Sequence, residues 1–187
     1  MKKITLLAVT VLFAITTKAQ QFKFRPLDIS QADFAYFPAR SVKESVGDKA
    51  TPLIKIVYSR PSAKGRKVFG SLQPFGKVWR IGANESTEIR FFKNVVLGGK
   101  KIAAGTYTLF AIPEKEKWEM ILNQQTDTWG PYGYDQTKDV IRFTVQAKQL
   151  TEYVETLGIV FTPQPSGANL IIGWENTYVE VPITINN

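Results

Sequence analysis

The chain has 187 residues, with 24 Lys and Arg against 16 Asp and Glu, a formal net charge of +8, and neither histidine nor cysteine. Lacking both, it cannot build a Ser-His-Asp or Cys-His centre, a histidine–cysteine zinc site, a disulfide or a lipid-bearing N-terminal cysteine. Carboxylate, lysine, tyrosine, serine and threonine chemistry remains, with oxygen-ligated metals, which removes most hydrolase mechanisms.

Residues 1–19 read as a secretory signal peptide. Lys2 and Lys3 open it, Ile4–Ile15 is apolar, and Thr17-Lys18-Ala19 offers small residues where a signal peptidase reads them. Cleavage is expected after Ala19, which places the protein in the periplasm or outside the cell. The apolar run is shorter than the roughly 20 residues of a membrane span, so no transmembrane anchor is expected. Lys2, Lys3 and Lys18 leave with the leader and lower the charge of +8 by three. The surplus that remains supports weak attraction to acidic ligands and gives no reason to expect nucleic acid.

Residues 20–51 read as an irregular lead-in packed on the body. Pro26 and Pro38 interrupt it, and Phe22, Phe24, Phe34, Tyr36 and Phe37 are expected to dock it. Ser41–Asp48 is compatible with a short helical turn. Residues 52–187 then read as a single domain whose periodicity is two rather than 3.6. Strands are expected at Leu53–Tyr58, Val78–Ile81 and Thr87–Lys93, the last with Thr87, Ile89 and Phe91 on one face. Val95–Leu97 and Lys100–Ile102 flank Gly98-Gly99, a pair suited to a two-residue hairpin turn. Thr106–Ile112 and Trp118–Asn123 follow, with Trp118, Met120 and Leu122 facing one way and Glu119 and Asn123 the other. Asp139–Ala147, Val154–Phe161, Ala168–Trp174 and Tyr178–Ile185 complete the set, Val179, Val181, Ile183 and Ile185 sharing a face. About nine or ten short strands with regular turn signals and little helix point to an all-β fold, an antiparallel, jelly-roll-like β-sandwich.

The chemistry-bearing residues gather in Tyr58–Thr87. Arg60, Arg66 and Arg80 are planar forks suited to a carboxylate or phosphate, and Lys64 and Lys67 flank the turn residue Gly65. Trp79, Asn84 and Glu85 close the stretch. In a plainer reading Arg80 pairs with Glu85 and Arg60 with another acid, bracing loops that have no disulfides. A phosphate-binding P-loop is excluded, because Ser71 stands where lysine is required. The second cluster is the loop Thr126–Asp139, in which Gly130, Pro131 and Gly133 present Trp129, Tyr132 and Tyr134. Aromatic faces on such a loop stack on sugars or apolar ligands, or plug one end of the fold.

The segment carrying Ser59-Arg60-Pro61, Gly65-Arg66, Val68-Phe69-Gly70, Pro74-Phe75-Gly76, Val78-Trp79-Arg80, Gly82-Ala83-Asn84-Glu85 and Thr87 resembles a bacterial exported family, domain of unknown function 2911. Gly98-Gly99-Lys100, Ala104-Gly105-Thr106-Tyr107, Trp129-Gly130 and Trp174-Glu175 extend the resemblance over most of residues 20–187. It implies a shared all-β fold and export, and supplies no activity.

The leading expectation is a non-catalytic exported protein that binds a small acidic ligand, glycan or partner in a groove formed by the arginine segment and the aromatic loop. No cofactor and no resident metal is expected. A rival is a histidine-free hydrolase or lyase using Glu85, Arg80 and a second carboxylate, Glu88 or Asp139. A glycosidase would need that second acid roughly 5–10 Å away. Asp127, Asp135 and Asp139 are a weak calcium set, their spacing matching no known loop. A third reading is a structural module of the cell envelope.

Overall fold

The computed structural model describes residues 22–39 and 51–185. The leader and the turn expected at Ser41–Asp48 lie outside the described residues. Alternation sets the strands: in IKIVYS (β2, Ile54–Ser59), Ile54, Ile56 and Tyr58 point into the core while Lys55 and Val57 are half-buried. The other strands are β1 (Ala32–Phe37), β3 (Glu88–Phe91), β4 (Val95–Leu97), β5 (Lys100–Ile102), β6 (Gly105–Pro113), β7 (Lys117–Asn123), β8 (Asp139–Gln164) and β9 (Gly167–Ile185). A 3-10 turn, Gln136–Lys138, precedes β8. Among the described residues no helix is long and apolar enough to cross a membrane.

The antiparallel all-β class matches the expectation. Hydrogen bonding runs through one nine-stranded sheet in the order β1-β2-β3-β6-β7-β8-β9-β4-β5. The stretches expected as Asp139–Ala147 and Val154–Phe161 are one strand, β8, and those expected as Ala168–Trp174 and Tyr178–Ile185 are β9. β8 pairs with β7 up to Gln146 and with β9 from Ala147, and its register shifts between Gln149, Val154 and Gly158. Those shifts bend the strand without ending it, which alternation alone does not reveal.

Bending lets the sheet close on itself. Leu157 donates its N–H to Pro61 O at 3.0 Å, Ala63 donates to Glu155 O at 2.8 Å, and Phe37 meets Phe161 with ring centroids 6.0 Å apart. At the other end the β4–β5 hairpin reaches the start of β8, where Lys100 Nζ donates to Val140 O at 2.7 Å. Gly98 and Gly99 turn that hairpin at φ of 55° and 80°, as their pairing leads one to expect.

The core forms inside the bent sheet. Phe69, Trp79, Trp118 and Trp174 pack as an aromatic cluster with centroids 4.9–6.5 Å apart, each ring at most 5% exposed. Thr87, Ile89 and Phe91 are buried together, as are Val179, Val181 and Ile183. Full burial of one large apolar side chain contributes about 1.5–3 kcal/mol, so this cluster supplies stability to a fold that has no disulfides.

Three expectations are corrected. Val78–Ile81 is not a strand: Trp79 makes one antiparallel bridge to Ala111, and Ile81 then turns to φ 54°, which breaks an extended run. The lead-in is not irregular throughout: Ala32–Phe37 is a strand, β1, paired antiparallel with β2. The lead-in aromatics Phe22, Phe24 and Phe34 do not dock and are 71%, 88% and 52% exposed, whereas Phe37 is buried.

Candidate functional site

Residues 60–87 connect β2 to β3, two neighbours in the sheet. Ordered connections of this length are uncommon and tend to carry function. The first part lies along β8. Lys64, at φ 52°, donates its backbone N–H to Glu155 Oε1 at 2.7 Å, and Gly65 completes the turn at φ 71°. Arg66 folds back, donating from Nε to Ala63 O at 2.8 Å and from Nη2 to Ser62 O at 2.9 Å. Arg60 pairs with Asp33 at 2.9 Å and donates to Leu157 O at 3.0 Å. The plainer reading therefore holds for Arg60, and the fork of Arg66 is engaged by its own turn. Trp79 is 2% exposed in the core and presents no face to a ligand.

The end of the same connection meets the aromatic loop. Glu85 and Trp129 form an antiparallel bridge. Ser86 N donates to Thr128 O at 2.9 Å, Ser86 Oγ to Gly130 O at 2.9 Å, and Thr128 Oγ1 to Ser86 Oγ at 2.8 Å. Arg80 donates from Nη1 to Asn84 O at 2.7 Å, and its guanidinium carbon stands 6.0 Å from the Tyr132 ring centroid. Among the described residues Arg80 makes no ion pair, so the expected Arg80–Glu85 pair is absent.

Backbone strain fixes this corner. Ile81 and Asn84 hold φ of 54° and 57°, and for β-branched Ile81 that conformation is an outlier of the kind that surroundings must enforce. Thr87 Oγ1 donates to Ile81 O at 2.8 Å and Trp79 Nε1 to Gly82 O at 3.4 Å, which holds the turn. Asn84 Nδ2 donates to Asp28 Oδ1 at 3.0 Å. That bond, after the stronger effect of the Ser30 N–H, lowers the pKa of the Asp28 carboxyl.

Beneath the loop sits a polar network. Tyr134 donates to Asp139 Oδ2 at 2.6 Å, and Arg142 reaches Asp139 at 2.7 Å, Glu119 at 3.0 Å and the Tyr134 hydroxyl. Asn123 Nδ2 donates to Asp139 Oδ1 at 2.7 Å and to Asp135 O at 2.9 Å. Burial, and then the bond to Asp139, pushes the Tyr134 pKa up to about 12. With its ring edge-on to Phe110 at 5.2 Å, Tyr134 is a buttress for the loop and not the stacking surface expected of it.

The same bonds occupy the acids named for two alternatives. Asp135 caps the 3-10 turn through Thr137 N at 2.9 Å, and Asp139 serves Arg142, Tyr134 and Asn123. Among the described residues no three acids gather to hold a metal, so the calcium set Asp127, Asp135 and Asp139 is not assembled. Glu88, offered as partner to Glu85, accepts the Asp127 N–H at 2.8 Å.

Of the expected site residues, Arg80, Asn84, Glu85, Trp129 and Tyr132 come together on one corner. Arg60, Lys64 and Arg66 lie elsewhere, beside β8. Two clefts escaped the sequence. One, of about 500 Å³, involves Ile29, Asp33, Arg60, Ser62 and Thr156. The other, of about 460 Å³, draws Phe69 and Phe75 together with Glu114 of the β6–β7 turn and Glu175 of β9. Its parts are too far apart in the chain to form a local pattern.

No curated protein and no solved structure matches the chain. The model of a family described as a protein of unknown function, DUF2911, matches residues 38–183. The match takes in every strand from β2 to β8 and most of β9, with the whole of the Arg80 corner, and on that extent the chain belongs to the DUF2911 family.

Proposed function

We propose that the protein is an exported, non-catalytic binding protein that takes an acidic glycan on the corner formed by Trp129, Tyr132 and Arg80. One observation carries the reading: Trp129 and Tyr132 are 59% and 83% exposed on a loop anchored by Ser86 and Thr128, beside an arginine without an ion-pair partner among the described residues. Exposed aromatic faces held rigid stack on sugar rings without losing loop entropy on binding. A guanidinium beside them favours sugars that carry a carboxylate or sulfate. The signal peptide read from residues 1–19 supports export.

The test is retention of the purified protein on gels containing uronate-bearing or neutral polysaccharides. Retention by the acidic polymer, reduced at least tenfold in affinity by Trp129→Ala and by Tyr132→Ala, is expected. Equal migration on all polymers would end the glycan reading. N-terminal sequencing of protein recovered from the periplasm should begin at Gln20 if the leader is cleaved.

A second reading, a module that assembles with an envelope partner, is favoured by the lead-in. Phe22, Phe24, Leu27 and Ile29 are 71–88% exposed in sequence proximity, an apolar strip with no cover among the described residues. Co-purification of one partner that is lost when residues 22–29 are replaced by serine and glycine would support it.

A further inference from the structure

We propose that the cleft between Phe75, the β6–β7 turn and the middle of β9 is a second binding site, one for a zwitterionic ligand of the amino-acid or short-peptide type. It forms where the β8–β9 ladder loses register. Gln149 still pairs with Thr177, but the next pair is Val154 with Glu175, and Glu175 takes φ 58° to make the step. The loosened ladder leaves Glu175, Asn176 and Thr177 facing the 67–75 turn. Glu175 Oε2 accepts the Val68 N–H at 3.3 Å, and Gly76 N donates to Pro113 O at 3.0 Å. Both sides of the cleft are therefore held.

Its chemistry is two-sided. Phe69, 5% exposed, is continuous with the tryptophan cluster below, while Phe75, 37% exposed, stands as a wall against Gly70. Lys67 and Lys115 bring positive charge to the same opening as Glu114 and Glu175. Among the described residues none of these four makes an ion pair, although all line one cleft. Opposite charges kept apart around an aromatic floor match a ligand that brings one charge of each sign on an apolar body. An anion alone would face the glutamates unmatched, and a neutral sugar would answer none of the four charges. The volume, about 460 Å³, falls in the range of roughly 300–1,000 Å³ found for small-ligand pockets.

Calorimetric titration of the purified protein with the dipeptide Phe-Ala tests the proposal, alongside its N-acetyl form, its C-terminal amide, glucose and inorganic phosphate. Saturable binding of the free dipeptide is expected, weakened at least tenfold by blocking either end. Lys115→Gln and Glu114→Gln, both on an exposed turn, should each weaken it by fivefold or more with unchanged circular dichroism. Trp129→Ala should leave it unaltered, which separates this site from the glycan corner. The proposal is overturned by absence of saturable dipeptide binding, by indifference to the blocked ends, or by tighter binding of glucose or phosphate.

Discussion

Gly130 lies directly against the guanidinium of Arg80: a Cβ at that position would overlap Nη1 and stand 3.0 Å from Cζ. Gly130 also holds φ 64°, a conformation that costs an L side chain about 1–2 kcal/mol. Gly130→Ala should therefore lose stability on both counts and displace Arg80 from Asn84 and Tyr132. For a chain of this size, each kcal/mol moves Tm by about 2–4 °C. A fall of several degrees in thermal denaturation, with weaker glycan retention, is expected. An unchanged Tm would mean that Arg80 is not held where this geometry places it.

The network below the loop predicts an alkaline response. Tyr134 has a folded pKa raised from 10.0 to about 12, so its protonated form is the one the fold favours. Its stabilisation is complete below pH 10 and fades as pH rises from 10 through about 12. Tyr58 is shifted in the same direction, by burial first. Absorbance of ionised tyrosine, followed against pH, should show a late step near pH 12 that Tyr134→Phe removes. If Tyr134→Phe leaves the late step undiminished, the hydroxyl is not buried against Asp139.

Which parts of this fold were legible in the sequence follows from how local their signals are. β2, β3, the Gly98-Gly99 hairpin and the inward face of β9 show themselves by alternation and turn chemistry, which neighbours in the chain supply. The unity of β8 does not, because a strand that changes partner at Ala147 and slips register beyond Gln149 looks like two strands. The Arg80 corner was half legible. Glycines around Trp129 announce a presented loop, but only the bridge from Glu85 to Trp129 shows that two stretches of chain make one surface. Arg66 and Tyr134 have partners that composition does not show: Arg66 bonds Ala63 and Ser62 of its own turn, and Tyr134 bonds Asp139.

The tryptophan cluster contains an asymmetry that mutation can read. Trp174 Nε1 donates to Glu155 O at 3.1 Å, but the buried Trp118 Nε1 has no partner among the described residues. Both rings are at most 1% exposed, so replacing either by phenylalanine removes similar packing. Trp174→Phe also strips a hydrogen bond from the Glu155 carbonyl, whereas Trp118→Phe removes a donor that was unsatisfied. Trp174→Phe should be the more destabilising by about 1 kcal/mol in urea denaturation. The reverse order would mean that a bound water satisfies Trp118.

The two hairpin glycines should behave differently despite sharing a turn. Both have positive φ, so alanine at either meets a left-handed penalty of about 1–2 kcal/mol. A Cβ at Gly99 would have nothing within 4 Å, while one at Gly98 would stand 2.6 Å from Phe143 Cγ and 2.9 Å from Phe143 Cβ. The Cβ of Phe143 is fixed by the β8 backbone, and its ring packs against the core, so relief requires the hairpin to lift away from β8. Gly98→Ala should then cost at least about 1 kcal/mol more than Gly99→Ala, within the usual range for overpacking. Gly99→Asn should be nearly neutral, since asparagine tolerates the left-handed region. Equal losses for the two alanine variants in urea denaturation would show that the hairpin does not rest on Phe143, and that the sheet is open where these contacts close it.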